Sequence, residues 1–507
     1  MNRIAGAVTL VAMALGTTAG TATAEPPHLT VPRVARALQL DDFAAMDADD
    51  APNGMAKVQG FVQRFPNDGE AVSERTVVYV GYDDEFLHVV FLCFDREPSR
   101  IGAHLVGRDQ LPNDDDTVAV HIDTFRDLKH AYGFQMNPLG VQTDGTYTEG
   151  ARWDLSWDTV WRSQARLTPK GYLVIFSIPF RSLRFPSTDV QQWGMFFYRA
   201  IARRNEQVYW PECSTRFAAR FPQAAVVDGV ERVSPGRNLQ AIPYMSARAL
   251  KRPDLTRGRE AAIGVDIKAV VKDSFVFDAT LNPDCSQVES DQPQITVNKP
   301  FEVFFPEKRP FFLENTAYFN TPIQLLFTRR IADPLVGGRA TGRAGAYSAG
   351  AMVVDDRSPF DGGAADVAQL GVVRVMRDVA RESYVGAFAS RRTMGGRGNE
   401  DNLIGALDGR WKLARNWFAS GQAAVSEQGT AWYGSLAGAG RRFNYQLDLN
   451  DRSTSFRAVD GFIPRVDIRS VDQTYSGTAL YVGANSNFAP ANTGWQVFTK
   501  MSYLLRR

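Results

Sequence analysis

Long apolar runs, histidine and cysteine are scarce in this sequence of 507 residues. After the first 24 residues, no stretch of 18 uncharged apolar residues occurs, which excludes a spanning helix because a bilayer needs about 20. The 5 histidines and 3 cysteines show none of the spacings of Cys/His metal sites. The formal net charge of +1 argues against a nucleic-acid partner, since that partner calls for a concentrated basic surface.

Catalytic signatures are absent as well. The sequence contains no Gly-x-Ser-x-Gly elbow, no His-Glu-x-x-His motif and no phosphate-binding P-loop. Carboxylates are plentiful, but no motif singles out the pair that a glycosidase needs at a set separation. We therefore assign no catalytic residue, and we expect a binding or structural protein rather than an enzyme.

The N-terminus has the three parts of a secretory signal. Arg3 supplies a positive start, residues 4–15 form a short apolar run, and Ala22-Thr23-Ala24 offers small residues where a signal peptidase reads them. The apolar run is too short to span a bilayer, which takes about 20 residues. We expect residues 1–24 to be a signal peptide and the mature chain to be exported.

Residues 25–235 contain short apolar segments separated by acidic or Gly/Pro turns. Val118, Val120 and Ile122 share one face, which is the period of a half-buried strand. Residues 172–178 are apolar on both faces and predict a central strand. Many short strands without helical periodicity predict an antiparallel β-sandwich of the jelly-roll kind. The strands expected here are 76–80, 86–91, 117–123, 172–178 and 194–200.

After Pro235, segments of about ten residues alternate small or aromatic residues with polar ones, as the strands of outer-membrane barrels do. Single charges such as Asp266, Arg374 and Asp408 recur inside them, and a packed soluble core would not tolerate these, whereas a water-filled lumen would. Residues 236–507 therefore predict a transmembrane antiparallel β-barrel of 12 to 15 strands, the alternative being a second soluble β domain. The strands expected include 261–271, 275–281, 346–354, 368–376, 384–391, 403–413 and 443–449.

A block rich in proline and aromatic residues, 282–323, interrupts these strands. Pro306 and Pro310 remove ladder donors and hold the preceding residues extended, so the block is not a central strand. Two interpretations stay open. The block is either a plug-like segment folded into the barrel, with its charges paired there, or a long surface loop.

Ordered motifs along the chain carry a resemblance to one bacterial family. They are 80–85, 94–101, 115–118, 121–124, 137–145, 157–161, 178–185, 281–284, 287–289 and 304–315. The sequence resembles outer-membrane proteins that combine an N-terminal domain like the family 9 carbohydrate-binding modules with a C-terminal β-barrel domain of uncharacterised function. The resemblance covers roughly residues 32–360, and the string Phe-Phe-Pro-Glu-Lys-Arg-Pro-Phe-Phe-Leu-Glu-Asn is its most specific part.

The resemblance implies a carbohydrate-binding protein of the outer membrane that aids glycan capture or uptake, with glycan and membrane lipid as partners. The sandwich would then lie in the periplasm or on the cell surface. Two other functions stay open: an enzyme of carbohydrate catabolism that hydrolyses O-glycosyl bonds, and a non-catalytic structural or assembly barrel. Because family members are longer and an open barrel edge leaves backbone groups unsatisfied in lipid, we expect an incomplete barrel from a truncated chain.

A tryptophan-rich stretch supplies the flat aromatic faces and planar polar groups that sugar binding needs. Trp153, Trp157 and Trp161 recur every four residues, which in an extended chain places them on one side. They form either a stacking platform or part of the core. The candidate carbohydrate-binding residues are Trp153, Trp157, Asp154, Glu149, Arg152 and Trp210.

The acidic run Asp114-Asp115-Asp116 offers oxygen ligands of the kind that Ca²⁺ takes. A bound calcium would staple a loop of the sandwich, and the alternative is a solvated acidic turn. We expect no other cofactor. Cys213 and Cys285 either form a disulfide or stay reduced, because no spacing rule decides between the two.

Overall fold

The structure is a computed structural model. It describes residues 25–35, 38–47, 54–149, 153–155, 157–236, 239–250, 258–271, 274–283, 307, 309–313, 315–357, 367–394, 401–439, 443–463, 468–477, 480–489 and 492–501. The expected signal peptide, Arg152 and Cys285 lie outside these residues. Regular structure in the described part is almost entirely β, which confirms the predicted all-β class. It contains no helix that is both long and apolar enough to cross a membrane.

In the described part of residues 25–235, thirteen strands form two sheets that enclose a core. Short 3-10 turns connect some of them at Leu40–Phe43, Pro98–Arg100, Phe180–Ser182, Ala202–Arg204 and Phe221–Gln223. The strands are β1 (His28–Thr30), β2 (Ala56–Val58), β3 (Val62–Phe65), β4 (Thr76–Tyr82), β5 (Phe86–Phe94), β6 (Thr117–Asp123), β7 (His130–Met136), β8 (Gln142–Thr148), β9 (Arg162–Thr168), β10 (Gly171–Pro179), β11 (Val190–Ile201), β12 (Glu206–Trp210) and β13 (Ala225–Glu231).

The first sheet has the order β1-β13-β11-β6-β7-β8, and β12 and β3 extend it from β11. The second sheet has the order β2-β4-β5-β10-β9. Both are antiparallel except that β1 runs parallel to β13, because the start and the end of this domain lie side by side at one edge. The predicted sandwich is therefore confirmed, with one parallel pair that the sequence did not predict.

The core between the two sheets is aromatic and aliphatic. The Phe91 ring lies 5.7 Å from that of Phe176 on the same sheet and 6.1 Å from that of Phe197 on the facing sheet. The second sheet is covered on its other face too, by residues 38–46, whose Phe43 packs on Tyr79. Burial on both faces explains why β10 is apolar on both, and it confirms the predicted central strand.

In the described part of residues 236–507, fourteen strands form one antiparallel sheet in which each strand pairs with the next. Among these residues no pairing joins the last strand to the first, so closure into a barrel stays a prediction. The strands are β14 (Leu239–Leu250), β15 (Gly258–Val271), β16 (Phe275–Leu281), β17 (Pro334–Ala344), β18 (Tyr347–Asp356), β19 (Ala368–Ala380), β20 (Ser383–Met394), β21 (Asn402–Ala414), β22 (Trp417–Ser426), β23 (Thr430–Gly438), β24 (Phe443–Arg452), β25 (Ile468–Gly477), β26 (Leu480–Ala489) and β27 (Asn492–Met501).

The two faces of this third sheet differ in polarity. On β21, Leu403 and Leu407 are exposed, whereas the alternating residues Asn402 and Asp408 are buried. The same alternation places apolar side chains on the exposed face of several neighbouring strands. Examples are Phe277, Leu281, Val336, Val353, Val373, Val375 and Val425. The buried face carries the ion pairs Arg339–Asp278, Arg374–Asp408 and Arg392–Asp460.

The buried face of the third sheet is covered by the chain between β16 and β17. Its described part includes helix α1 (Pro310–Leu313) and 3-10 turns at Thr316–Phe319 and Thr328–Arg330. Phe311, Phe312 and Leu325 pack there against strand residues such as Val354 and Val372. Arg309 is also buried, donates to the carbonyls of residues 328 and 331, and pairs with Glu307. We call this segment plug-like for its position against the sheet, and that it plugs a barrel stays a prediction.

Ion pairs connect the sandwich to the third sheet. Lys129 Nζ donates to Asp378 Oδ1 at 2.5 Å. Arg343 bridges the two units, since it donates both to Asp127 of the sandwich and to Asp378 of the sheet. The side chains of Asp127 and Lys129 are almost fully buried at this contact. We call this cluster of four residues the junction.

Candidate functional site

An open cleft of about 410 Å³ lies on the outer face of the first sheet. Its floor includes Tyr198, Gln135 and Thr143, which are aligned across β11, β7 and β8 because each pairs in register with the strand beside it. Adjacent residues on these strands point into the sandwich core, so the floor is set by strand alternation. The rest of the lining is Asp109, Leu111, Pro112, Asn113, Asp115, Thr117, Trp153, Leu155, Ala200, Ala202, Asn205, Glu206 and Gln207.

Trp153 lies flat on the outer face because two glycines leave room for it. A Cβ atom at Gly133 would lie 2.8 Å from the indole ring, and one at Gly145 would lie 2.4 Å from Nε1. The ring also contacts the His121 ring at a centroid distance of 5.9 Å. Trp153 is half-buried, and its Nε1 has no hydrogen-bond partner among the described residues. The cleft therefore has one flat aromatic wall.

His121 is held neutral beneath this tryptophan. Burial and, to a smaller extent, the nearby positive charge of Arg220 lower the pKa of His121 to about 3. Its ring also lies against Tyr147, edge to face. A neutral imidazole packed between two aromatic rings supports Trp153 and is not available as a general base.

Tyr198 supplies a neutral hydroxyl group at the floor. Its ring packs on Tyr209 at a centroid distance of 5.0 Å, and burial raises the pKa of Tyr198 to about 12. The hydroxyl group therefore keeps its proton and can both donate and accept a hydrogen bond. Together with the Gln135 and Gln207 amides, it offers planar polar partners of the kind that sugar hydroxyls use.

Three carboxyl groups line the cleft: Asp109, Asp115 and Glu206. Asp109 Oδ1 accepts from the Asp144 backbone, and burial raises the pKa of Asp109. Glu206 is 4 % exposed and accepts one hydrogen bond, from the Ser73 backbone N–H at 2.9 Å. The cleft therefore has an acidic lining.

The sequence predicts that Trp153, Trp157 and Trp161 lie on the same side of the chain, but the structure places them apart. Residues 153–161 are not an extended strand, so a spacing of four does not align them. Trp157 is 7 % exposed in the sandwich core, 4.9 Å from the Tyr132 ring, and Trp161 stacks on Phe176. Trp157 lines a separate cavity of about 110 Å³ near the junction. The core interpretation therefore holds for Trp157 and Trp161, and Trp157 is corrected as a sugar-stacking candidate.

The other sequence candidates do not line the cleft. Glu149 is buried and accepts from the backbone N–H groups of residues 220 and 221, and burial raises its pKa. Asp154 pairs its backbone with Thr146 and accepts a hydrogen bond from Thr316 of the plug-like segment at 3.3 Å. Trp210 stacks on Phe197 at 5.9 Å. Their roles are structural contacts, and Arg152 lies outside the described residues.

The acidic run 114–116 does not converge on one point. Asp115 accepts from His104 and Asn137, whereas Asp116 accepts from the Ala202 backbone, and burial raises the pKa of Asp116. Ligand atoms of His104, Asp114 and Asp115 lie within 4.8 Å of one another. The three aspartates therefore do not form one ligand set, because the turn before β6 gives Asp115 and Asp116 different partners. The His104 contact is an ordinary ion pair.

Cys213 is buried beside the same face of the sheet. Its Sγ accepts a hydrogen bond from Arg64 Nη1 at 3.0 Å. Burial raises the pKa of the Cys213 thiol to about 11, so it stays protonated. Cys213 is a free thiol in the structure, which fits the alternative in which the cysteines stay reduced, and Cys285 lies outside the described residues.

The sequence analysis missed most of the cleft. Gln135, Thr143, Tyr198 and Glu206 come from two pairs of consecutive strands, β7–β8 and β11–β12, that are far apart in the chain, and strand register aligns them. A usable signal was present, since polar residues alternate with core residues along β6 and β7. That alternation identifies an outer face but not which part of it stays open.

Residues 235–345 match a family model. The family is described as "Domain of unknown function (DUF5916)". The match spans β14 to β17 with the plug-like segment and lies within the second part of the resemblance noted in the sequence. No curated protein matches the chain.

Two solved structures are similar to parts of this chain. One is a carbohydrate binding module of family 9 from Caldicellulosiruptor kristjanssonii in complex with cellotriose, at 14 % identity over 40 % of this chain and 94 % of that chain, with a TM-score of 0.27. The other is the P pilus usher (PapC) translocation pore, at 11 % identity over 88 % of this chain and 92 % of that chain, with a TM-score of 0.26.

Proposed function

We propose that this protein binds glycan in the cleft of its sandwich and is held in the outer membrane by its third sheet. The observation that carries the glycan proposal is the half-buried Trp153 beside a polar floor. An indole face packs against the C–H face of a pyranose, while amides and hydroxyl groups bond to the sugar hydroxyls. The cleft combines both kinds of group on a rigid sheet.

The exposed apolar face of the third sheet supports the membrane proposal. Soluble proteins rarely expose contiguous apolar patches above a few hundred Å². Here leucines and valines recur at alternate positions of consecutive strands, opposite a buried face with charged pairs. Apolar side chains on the outer face and polar side chains on the inner face are the pattern of a β-sheet in lipid. The chain would therefore be exported, with the sandwich next to the membrane.

Loss of glycan binding in Trp153→Ala tests the proposal. The complete chain in detergent is titrated with a panel of neutral oligosaccharides that includes cellotriose, by calorimetry. Removal of the stacking ring is expected to weaken binding about thirtyfold or more, as for a central aromatic contact worth about 2 kcal/mol.

The matched control is Trp210→Ala, because Trp210 lies in the same sheet outside the cleft. This variant is expected to bind normally, with folding of both variants checked by near-ultraviolet circular dichroism. If no glycan of a broad panel binds the unmodified chain, or if only Trp210→Ala loses binding, the cleft is not a sugar site.

A structural or assembly role is the second candidate function, and the junction favours it. The ion pairs of Lys129 and Arg343 hold the sandwich against the third sheet, as a fixed cap would require. This role would be supported if the chain binds no glycan and if breaking the junction releases it from an envelope complex.

A further inference from the structure

The cleft has carboxylates in its lining but no lysine or arginine. Asp109, Asp115 and Glu206 line it, and every other lining residue is neutral. Asp115 is paired with His104. Asp109 Oδ2 has its nearest cation, Arg108 Nε, at 3.7 Å. Glu206 has no cation at all within ion-pair distance among the described residues.

Two other buried carboxylates of the sandwich, Glu74 and Asp95, are paired with arginine, and Glu206 is not in the part of the chain that the structure describes. Glu74 is equally buried, yet Arg203 and Arg204 pair with it. Asp95 is buried and pairs with Arg203 at 2.6 Å. Glu206 accepts one backbone hydrogen bond at Oε1, and its Oε2 has no partner among the described residues. A nine-tenths-buried carboxylate is therefore left unpaired where it borders the cleft.

Glu206 Oε2 borders the cleft and has neither a hydrogen-bond donor nor a cation among the described residues. A positive group on a bound ligand would meet an unneutralised carboxylate there. The same lining would repel an anionic sugar, because like charges brought together in a desolvated site are unfavourable. The arrangement therefore favours cationic over neutral ligands and neutral over anionic ones.

We infer that the cleft recognises glycans with a free amino group, that is, 2-amino-2-deoxy sugars, and that the ammonium lies against Glu206. This inference rests on the proposed glycan function and names the substrate class of the same site. Trp153 would stack on the sugar ring, and Tyr198 and Gln207 would bond to its hydroxyl groups. Glu206 is thus the specificity residue.

The first experiment compares four tetrasaccharides by calorimetry on the complete chain in detergent. They are a glucosamine tetramer with free amines, its N-acetylated counterpart, cellotetraose and tetragalacturonate. The glucosamine tetramer is expected to bind about tenfold more tightly than cellotetraose, as one charge-assisted contact provides. The acetylated tetramer should lose this advantage because its amide is neutral. Tetragalacturonate should bind weakest.

The second experiment substitutes Glu206→Gln, with Glu231→Gln as the matched control on an exposed position of the same sheet. Glu206→Gln is expected to remove the tenfold preference and keep cellotetraose binding, while the control keeps both. Should Glu206→Gln not fold, the salt dependence of the unmodified chain decides, since only the glucosamine advantage should shrink as salt is raised.

The outcomes separate the two proposals. If no tetrasaccharide binds, the glycan function itself is wrong. If cellotetraose binds as tightly as the glucosamine tetramer, or if Glu206→Gln keeps the preference, the cleft is a sugar site but the amino-sugar inference is wrong.

Discussion

His121 and Trp153 show how much a single side chain in this cleft depends on its neighbours. The indole ring reaches the sheet only because Gly133 and Gly145 have no side chain, and the imidazole then becomes buried beneath it. Burial makes the protonated imidazole unfavourable, which lowers its pKa. The packing of Trp153 in the cleft wall therefore depends on whether His121 is protonated.

The free energy of unfolding should fall as pH drops from 6.5 towards 3. Folding lowers the pKa of His121 from 6.5 to about 3, so the unfolded chain binds a proton in this window that the native sandwich excludes. The slope from this residue is at most about 1.4 kcal/mol per pH unit, and His121→Gln should remove it. Urea unfolding of the complete chain at several pH values measures the slope.

His28→Gln is the matched control, because His28 lies exposed at the edge of the same sheet. This variant should keep the part of the slope that His121 contributes. Identical slopes for His121→Gln and the unmodified chain would mean that His121 is protonated in the native sandwich.

Among the structural elements, loop 124–129 determines how the sandwich meets the third sheet. Asp123 at the end of β6 accepts from the backbone N–H groups of residues 127 and 128, which shapes the loop. Burial and the charge of Asp127 raise the pKa of Asp123 well above its usual range. The loop then presents Asp127 and Lys129 to Arg343 and Asp378.

Arg343→Ala should loosen the junction, because this substitution removes ion pairs to both Asp127 and Asp378. Spin labels at Val190→Cys in the sandwich and Glu427→Cys in a turn of the third sheet, with Cys285→Ser, report the distance between the units. We expect the distance distribution to broaden. Arg377→Ala on β19, the strand that carries Asp378, is the control and should leave the distribution narrow. An unchanged width in Arg343→Ala would show that the junction does not hold the sandwich.

At the scale of the whole molecule, the sandwich and the third sheet differ in what they expose. The sandwich encloses an apolar core, whereas the third sheet buries apolar contacts together with ion pairs such as Arg374–Asp408 and exposes leucine and valine on its other face. Exposed leucine and valine side chains are unfavourable in water and favourable in lipid. The proposed placement in the membrane therefore depends on the exposed apolar face of the third sheet.

Leu407→Arg should destabilise the chain folded into lipid vesicles by about 2–4 kcal/mol, the cost of an arginine on the lipid face near the midplane. Leu105→Arg is the matched control, because Leu105 is equally exposed but belongs to a sandwich loop, and it should have little effect. Urea unfolding in vesicles measures both. Equal stabilities, or a folded chain that stays in the aqueous phase after detergent phase separation, would contradict the membrane proposal.

Much of the strand pattern could be predicted from local sequence. The segments 117–123, 172–178 and 403–413 all coincide with strands, because alternation and β-branched residues report burial directly. The prediction that the three tryptophans share one side was wrong, because it assumed an extended chain between Trp153 and Trp161. The cleft was missed because strand register, not proximity in the chain, brings Tyr198, Gln135 and Thr143 together.

The amino-acid sequence by itself determined the all-β class, the change of pattern near residue 235 and the position of most strands, because these depend on local periodicity. Only the tertiary structure decided which tryptophan lies on an open face and which lies in the core, and that Glu206 borders the cleft without a cation. Both depend on which strands become neighbours, and pairing between distant segments leaves no local trace in the chain.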